Sequence, residues 1–248
     1  MKKYSYIKLI ALLSLALFTG CEDKDSEGVS RITYYPEFTL NGDEELVLSV
    51  GDSYTESGAV VKEGDSEIEY TTTYAGTYIT GPVGSIDTSV EDIYVVNYTA
   101  INKDGFPGTA SRIVNVVGQG DLVNNIEGWY TSTVVRDVGG GGPAYTDMEY
   151  VIIAKTGANT YQISDGIGGY YDLGRQYGTA YAATGATLTA NNIAANDFTF
   201  GPNFSVGAFG GVATLTSFEV DAGSKTIHFT SSWDAGYKFD VTLKQVQF

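Results

Sequence analysis

The 248-residue chain has one cysteine, one histidine and only 14 basic side chains against 30 acidic ones. A lone thiol forms no internal disulfide and no thiolate metal cluster. The one histidine, His228, has no second imidazole to share a zinc ion, and no G-x-S-x-G elbow supplies a serine nucleophile. His228 lies between Thr226 and Thr230 on the polar side of an alternating segment, which reads as a surface or rim position. Scarce cations remove the basic patches that nucleic acids and anionic lipid surfaces require. No long amphipathic helix is legible either. Cofactors and metals are therefore expected to be none.

The first residues, MKKYSYIKLIALLSLALFTG, combine a short basic start with an apolar run from Ile7 to Phe18. That layout is a signal peptide over 1–20, too short for a resident transmembrane helix. Phe18-Thr19-Gly20-Cys21 resembles a bacterial lipobox, with cleavage before Cys21 leaving its thiol and amine to carry lipid such as palmitate. Several acyl chains anchor a protein firmly, whereas one binds marginally. Glu22 to Gly28, EDKDSEG, extends the lipidated tether over 21–30 and resembles the surface-export signal of Bacteroidetes-type lipoproteins. Without Lys2, Lys3 and Lys8 the balance is 11 basic to 30 acidic residues, a net charge of −19.

What is plentiful is threonine, tyrosine, valine and glycine, with turn residues every 8 to 12 positions. This is an all-β signature. Gly118-Gln119-Gly120-Asp121 divides the chain, giving domains over 31–118 and 121–248. Strands in the first are expected near 32–40, 45–50, 57–62, 67–74, 92–101 and 110–117. Tyr94, Val96, Tyr98 and Ala100 share one face, and Lys103-Asp104-Gly105 makes a hairpin turn. Asp52, Glu56, Glu63 and Asp65 lack calcium-loop spacing and read as a solvated acidic face.

In the second domain strands are expected near 128–137, 146–154, 160–164, 170–173, 185–190, 197–200, 212–220, 226–233 and 237–247. Ile227 and Phe229, then Phe239, Val241 and Leu243, give a terminal hairpin with one buried face. Such a meander closes into an antiparallel barrel or a two-sheet sandwich, because closure removes exposed edges. The glycine runs Gly139 to Pro143 and Gly166 to Gly169 are not followed by the residues of a phosphate-binding loop. They read as connections. Carboxylate pairs suited to glycoside hydrolysis, Asp165 with Asp172 or Asp147 with Glu149, arise readily by chance in so acidic a chain.

GDSYTESGAVV, VGSIDTS and YVVNYTAINKDG resemble the immunoglobulin-like modules of bacterial surface proteins. IEGWYTSTVVRD, TYQISDGIGGYYDLGRQYG and WDAGYKFDVTLKQ look like the carboxy-terminal domain of two-domain Bacteroidetes surface lipoproteins, so the resemblance spans nearly the whole chain. It implies an immunoglobulin-like β-sandwich serving as spacer, followed by a ligand-binding domain. It also implies an outer-membrane location facing outward and an accessory role in polysaccharide uptake beside an outer-membrane transporter. It supplies no catalytic residues. A structural or adhesive subunit is the alternative function, and a glycosidase comes third.

Glycan binding needs exposed aromatic rings and polar groups to sort hydroxyls. The candidates are Tyr170, Tyr171, Arg175, Tyr177, Asp165 and Asp172, on a strand, a glycine turn and a second strand. On a regular strand only one of Tyr170 and Tyr171 faces outward, and Tyr171, Arg175 and Tyr177 would share a side. Trp129 and Trp233 are expected to pack in the core.

Overall fold

Period-two burial is clearest in β7 (Asp92–Ile101), where Tyr94, Val96, Tyr98 and Ala100 are buried and the side chains between them are half-buried. The computed structural model describes residues 32–137 and 144–248. The leader, Cys21, the acidic tether and the Gly139–Pro143 run lie outside the described residues.

Strand β7 is the third strand of a five-stranded sheet ordered β2-β8-β7-β5-β6. Its members are β2 (Glu45–Ser49), β5 (Thr71–Gly76), β6 (Pro82–Val83) and β8 (Pro107–Val117), and only β2 and β8 run parallel. A second sheet, ordered β1-β3-β4, contains β1 (Glu37–Leu40), β3 (Ala59–Glu63) and β4 (Ser66–Glu67). Their inner faces share one core built on Tyr94, Val96, Tyr98, Val61 and Val114. This is the expected immunoglobulin-like sandwich.

Of the four acidic residues expected on a solvated face, Asp52 and Asp65 are exposed, whereas Glu56 and Glu63 are drawn into the structure. Glu56 accepts from Tyr54, from Tyr98 Oη (2.6 Å), from the Gly58 N–H (2.7 Å) and from Arg112. Arg112 is buried, and its remaining donors reach the Asp43 and Asn41 carbonyls (2.9 and 2.6 Å). Glu63 is nearly buried and takes the Lys103 ammonium (2.7 Å) and N–H (3.0 Å) at the β7–β8 hairpin. Buried charges persist where each lone pair and proton is matched, so these carboxylates hold loops together.

The second half is one nine-stranded antiparallel sheet, ordered β13-β12-β11-β10-β9-β17-β16-β15-β14. It comprises β9 (Gly128–Asp137), β10 (Ala144–Lys155), β11 (Thr160–Ile163), β12 (Ala186–Asn192), β13 (Asp197–Phe200), β14 (Phe204–Val206), β15 (Gly210–Asp221), β16 (Thr226–Trp233) and β17 (Tyr237–Gln245). Side chains bring its two ends together. Phe198 of β13 meets Phe218 of β15 at 4.9 Å between ring centres, and Asn196 accepts from the Val220 N–H (2.7 Å). The sheet is thus curled as a half-barrel around a single core, which decides between the two closures expected from sequence.

The segment 163–172 is wholly buried and fills one end of that curl. Gly168 has φ +69°, and a Cβ there would lie 2.6 Å from Val241, while its carbonyl accepts from Ser132 Oγ (2.8 Å). The strand expected at 170–173 is instead a π-helical turn, Tyr170–Gly174, with i→i+5 bonds from Gly174 to the Gly169 carbonyl and from Arg175 to that of Tyr170. Gly168 and Gly169 both have positive φ, which ends extended structure before the tyrosine pair.

The two halves pack directly. Trp129 is buried with Val117, Ile152 and Ala154 against Tyr78, Ile79 and Ile93, and its Nε1 donates to the Val116 carbonyl (3.3 Å). Tyr78 Oη donates to Asp172 (2.7 Å), and the Gly118 N–H donates to Glu91. Burial lifts the Glu91 carboxyl to about 8 and raises that of Asp172.

Candidate functional site

After the π-helical turn the chain emerges at the rim of the half-barrel through residues 175–181. There it meets the turn Gly207–Phe209 and the β16–β17 hairpin. Close approach depends on glycine. A Cβ on Gly207 (φ +44°) would lie 2.5 Å from Tyr181 backbone, and one on Gly211 (φ +75°) would lie 2.4 Å from the Trp233 indole nitrogen. Trp233 donates that N–H to the Gly210 carbonyl (3.1 Å), which fixes its ring against the turn.

Three loops therefore present one aromatic surface. Tyr177 and Phe209 are 49% and 47% exposed, and Tyr181, Trp233 and Tyr237 are half-buried beside them. Tyr181 contacts both Tyr177 (5.3 Å) and Phe209 (4.9 Å); Phe209 continues to Trp233 (6.1 Å), and Trp233 to Tyr237 (5.7 Å). Tyr171 lies beneath, stacked under Tyr177 at 6.2 Å and against Phe209 at 4.8 Å. Rings already braced by rings lose little conformational freedom when a ligand lands on them.

Two arginines border the cluster. Arg136 lies over Tyr237 (4.5 Å) and Tyr170 (5.0 Å) and donates to Tyr171 Oη (3.1 Å). Arg175, exposed, approaches Tyr170 from its own turn at 5.8 Å. Such contacts are cation–π in character and hold the guanidinium planes in place.

The sequence candidates separate on this geometry. Arg175 and Tyr177 are at the surface. Asp165, Tyr170, Tyr171 and Asp172 are corrected: all four are buried in the plug. Alternation exposes one tyrosine of an adjacent pair only on an extended strand, and here the pair is helical. Asp165 accepts from the Ile167 N–H (2.9 Å), and burial pushes its carboxyl up to about 7. Asp172 is engaged by Tyr78 from the other domain. Neither carboxylate faces solvent, so the pair presents nothing to a glycosidic bond; Asp147 and Glu149 are exposed on β10.

Trp129 is in the core as expected, whereas Trp233 is shared between core and rim. Phe209 and Arg136 were not singled out by sequence reasoning. The aromatic residue bracketed by glycines in GAFGG was the signal available for Phe209. His228 sits at the surface paired with Asp240 (2.7 Å). A cleft of about 510 Å³ lies between the end of β9 and β15–β17, but the hydroxyls of Thr216 and Thr230 in it bond one another (2.6 Å). It offers no exposed ring.

Residues 38–116 match the family model described as a bacterial surface protein, Ig-like domain, and residues 119–245 match the model of a C-terminal domain family. The chain belongs to the family that this C-terminal domain defines, here joined to a bacterial surface Ig-like domain. Among solved structures it is similar to the lipoprotein BT2262 from Bacteroides thetaiotaomicron, with a TM-score of 0.58 and 24% identity over 85% of this chain and 100% of that one. At that identity the likeness concerns the fold. No curated protein matches the chain.

Proposed function

We propose that the protein is a non-catalytic, glycan-binding lipoprotein of the outer membrane, anchored through Cys21 and displayed at the cell exterior as an accessory of polysaccharide uptake. The observation that carries this reading is the exposed aromatic surface formed by Tyr177, Phe209, Tyr181 and Trp233 at the rim of the second domain. Sugars present flat C–H faces bordered by hydroxyls, and a pre-braced group of rings matches them in shape and polarity. Support for the anchor comes from the Cys21 context and from the description of BT2262 as a lipoprotein. The first domain acts as a rigid stalk, consistent with its direct packing on the second through Trp129 and Tyr78.

The test is calorimetry of the full chain, held in a polyoxyethylene detergent that carries no sugar, against a broad polysaccharide panel. At least one polymer should bind, and Tyr177→Ala with Phe209→Ala should abolish binding while the melting temperature holds. A second reading, contact with an outer-membrane transporter through the same rings, predicts no polysaccharide binding and loss of co-purification with the transporter in that double variant.

A further inference from the structure

Cations are scarce in this chain, yet two of its four arginines converge on one tyrosine ring. Arg136 and Arg175 lie 5.0 and 5.8 Å from the Tyr170 ring centre, at the border of the aromatic surface. Neither forms an ion pair among the described residues. A buried arginine in the same molecule, Arg112, is instead matched by Glu56 and two carbonyls. With 30 acidic residues in the chain, carboxylate partners for both rim guanidinium groups would be easy to place, yet among the described residues neither is ion-paired.

Arg136 uses one Nη on Tyr171 and is held between the faces of Tyr170 and Tyr237, so its orientation is set before any ligand arrives. Arg175 is exposed, two residues before the exposed Tyr177, with its guanidinium toward the Tyr170 ring. A guanidinium offers a fork of donors suited to two-oxygen anions, and it gives up its weak hydration readily. Rings beside guanidinium groups engaged by tyrosines and by no carboxylate among the described residues therefore suit a sugar ring that carries an anionic substituent.

We infer that the saccharide taken by this site is acidic, its carboxylate or sulfate held by Arg175 and Arg136 while its ring lies on Tyr177 and Phe209. This rests on the saccharide-binding reading given above. The net charge, −16 for the full chain and −19 without Lys2, Lys3 and Lys8, does not oppose it strongly, because charges more than about 8 Å away are largely screened at physiological salt.

The experiment is calorimetry of the full chain, in the same detergent, with paired polymers of matched backbone. These are polygalacturonate with its methyl ester, and dextran sulfate with dextran; alginate, chondroitin sulfate, amylopectin and galactomannan complete the set. Binding should be confined to the acidic members, and the carboxylate and sulfate pairs report which anion is read. Arg175→Gln, at an exposed position, should weaken that binding about tenfold or more, as expected for loss of a charged hydrogen bond. Neutral polymers binding as well as acidic ones would overturn the inference and leave the aromatic surface as a neutral-sugar site, and no change in Arg175→Gln would overturn it by removing the arginine from the anion contact. Failure of every polymer to bind would overturn both readings.

Discussion

Each half of the molecule contains an arginine set among tyrosines, and the two settings differ in what completes them. In the first domain Arg112 lies 6.0 Å from the Tyr98 ring centre and is buried, with Glu56, Asn41 and Asp43 accepting its protons and Tyr54 and Tyr98 bonding the same carboxylate. In the second, Arg136 and Arg175 flank Tyr170 with no ion pair among the described residues, next to rings that face solvent. A closed network contributes to stability and has nothing left to offer a ligand. An open one contributes less to stability and leaves donors available. The same residue types thus serve a structural purpose in one half and suit recognition in the other.

The largest expected effect lies in the closed network. Arg112→Ala leaves the half-buried Glu56 without its cation and opens a cavity at a buried position, and should cost about 3–5 kcal/mol in denaturant unfolding monitored by circular dichroism. If Arg112→Ala and Arg175→Gln cost the same, the contrast between the two settings fails. Next comes the plug beneath the open cluster. Gly168→Ala places a Cβ 2.6 Å from Val241 at positive φ and should cost about 2–4 kcal/mol, seen as a lower melting temperature.

A smaller effect follows from the buried carboxyls. Glu91 at about 8 and Asp165 at about 7 both titrate above their unfolded values, raised chiefly by burial. With these two carboxyls the folded state binds more protons, so the stability they contribute is fullest below about pH 4 and is lost as pH rises to about 8. Urea midpoints across that range should show the decline, and Glu91→Gln should flatten it. Smallest of all, Tyr177→Ala should change stability by no more than about 0.5 kcal/mol, since the ring is half-exposed and at the rim. The same substitution should weaken polysaccharide binding about tenfold, the scale of one lost aromatic contact.

Much of the fold could be read from residue alternation. Tyr94 to Ala100 and Ile227 to Leu243 have faces that match their burial, because an antiparallel strand with one dry side must alternate. Glycine and aspartate marked the hairpins at Gly105 and Gly236, both with positive φ. The plug was not legible in this way. Its glycines permit positive φ, and its tyrosines are held by i→i+5 bonds that leave no periodic mark in sequence. Alternation applied to Tyr170 and Tyr171 therefore answered a question that the backbone does not pose.

The candidate site was legible only in part for a related reason. Arg175 and Tyr177 follow the plug and reach the surface, whereas Phe209 and Trp233 come from segments about 30 and 56 residues further along. Only the curl of the sheet brings these loops together. Glu56 was misread because its partner Arg112 is 56 positions away, a pairing that local charge patterning does not reveal.

Ligand should land on the rim rings of the second domain, and the two tryptophans allow a direct reading. Trp129 is buried at the seam, while Trp233 is half-buried at the rim, so acrylamide quenching of the protein reports chiefly on Trp233. With a saturating amount of a polysaccharide that calorimetry shows to be bound, quenching should fall toward that of a protein with both indoles shielded. Unchanged quenching with polysaccharide bound would contradict the account, because the ligand would then occupy some other surface.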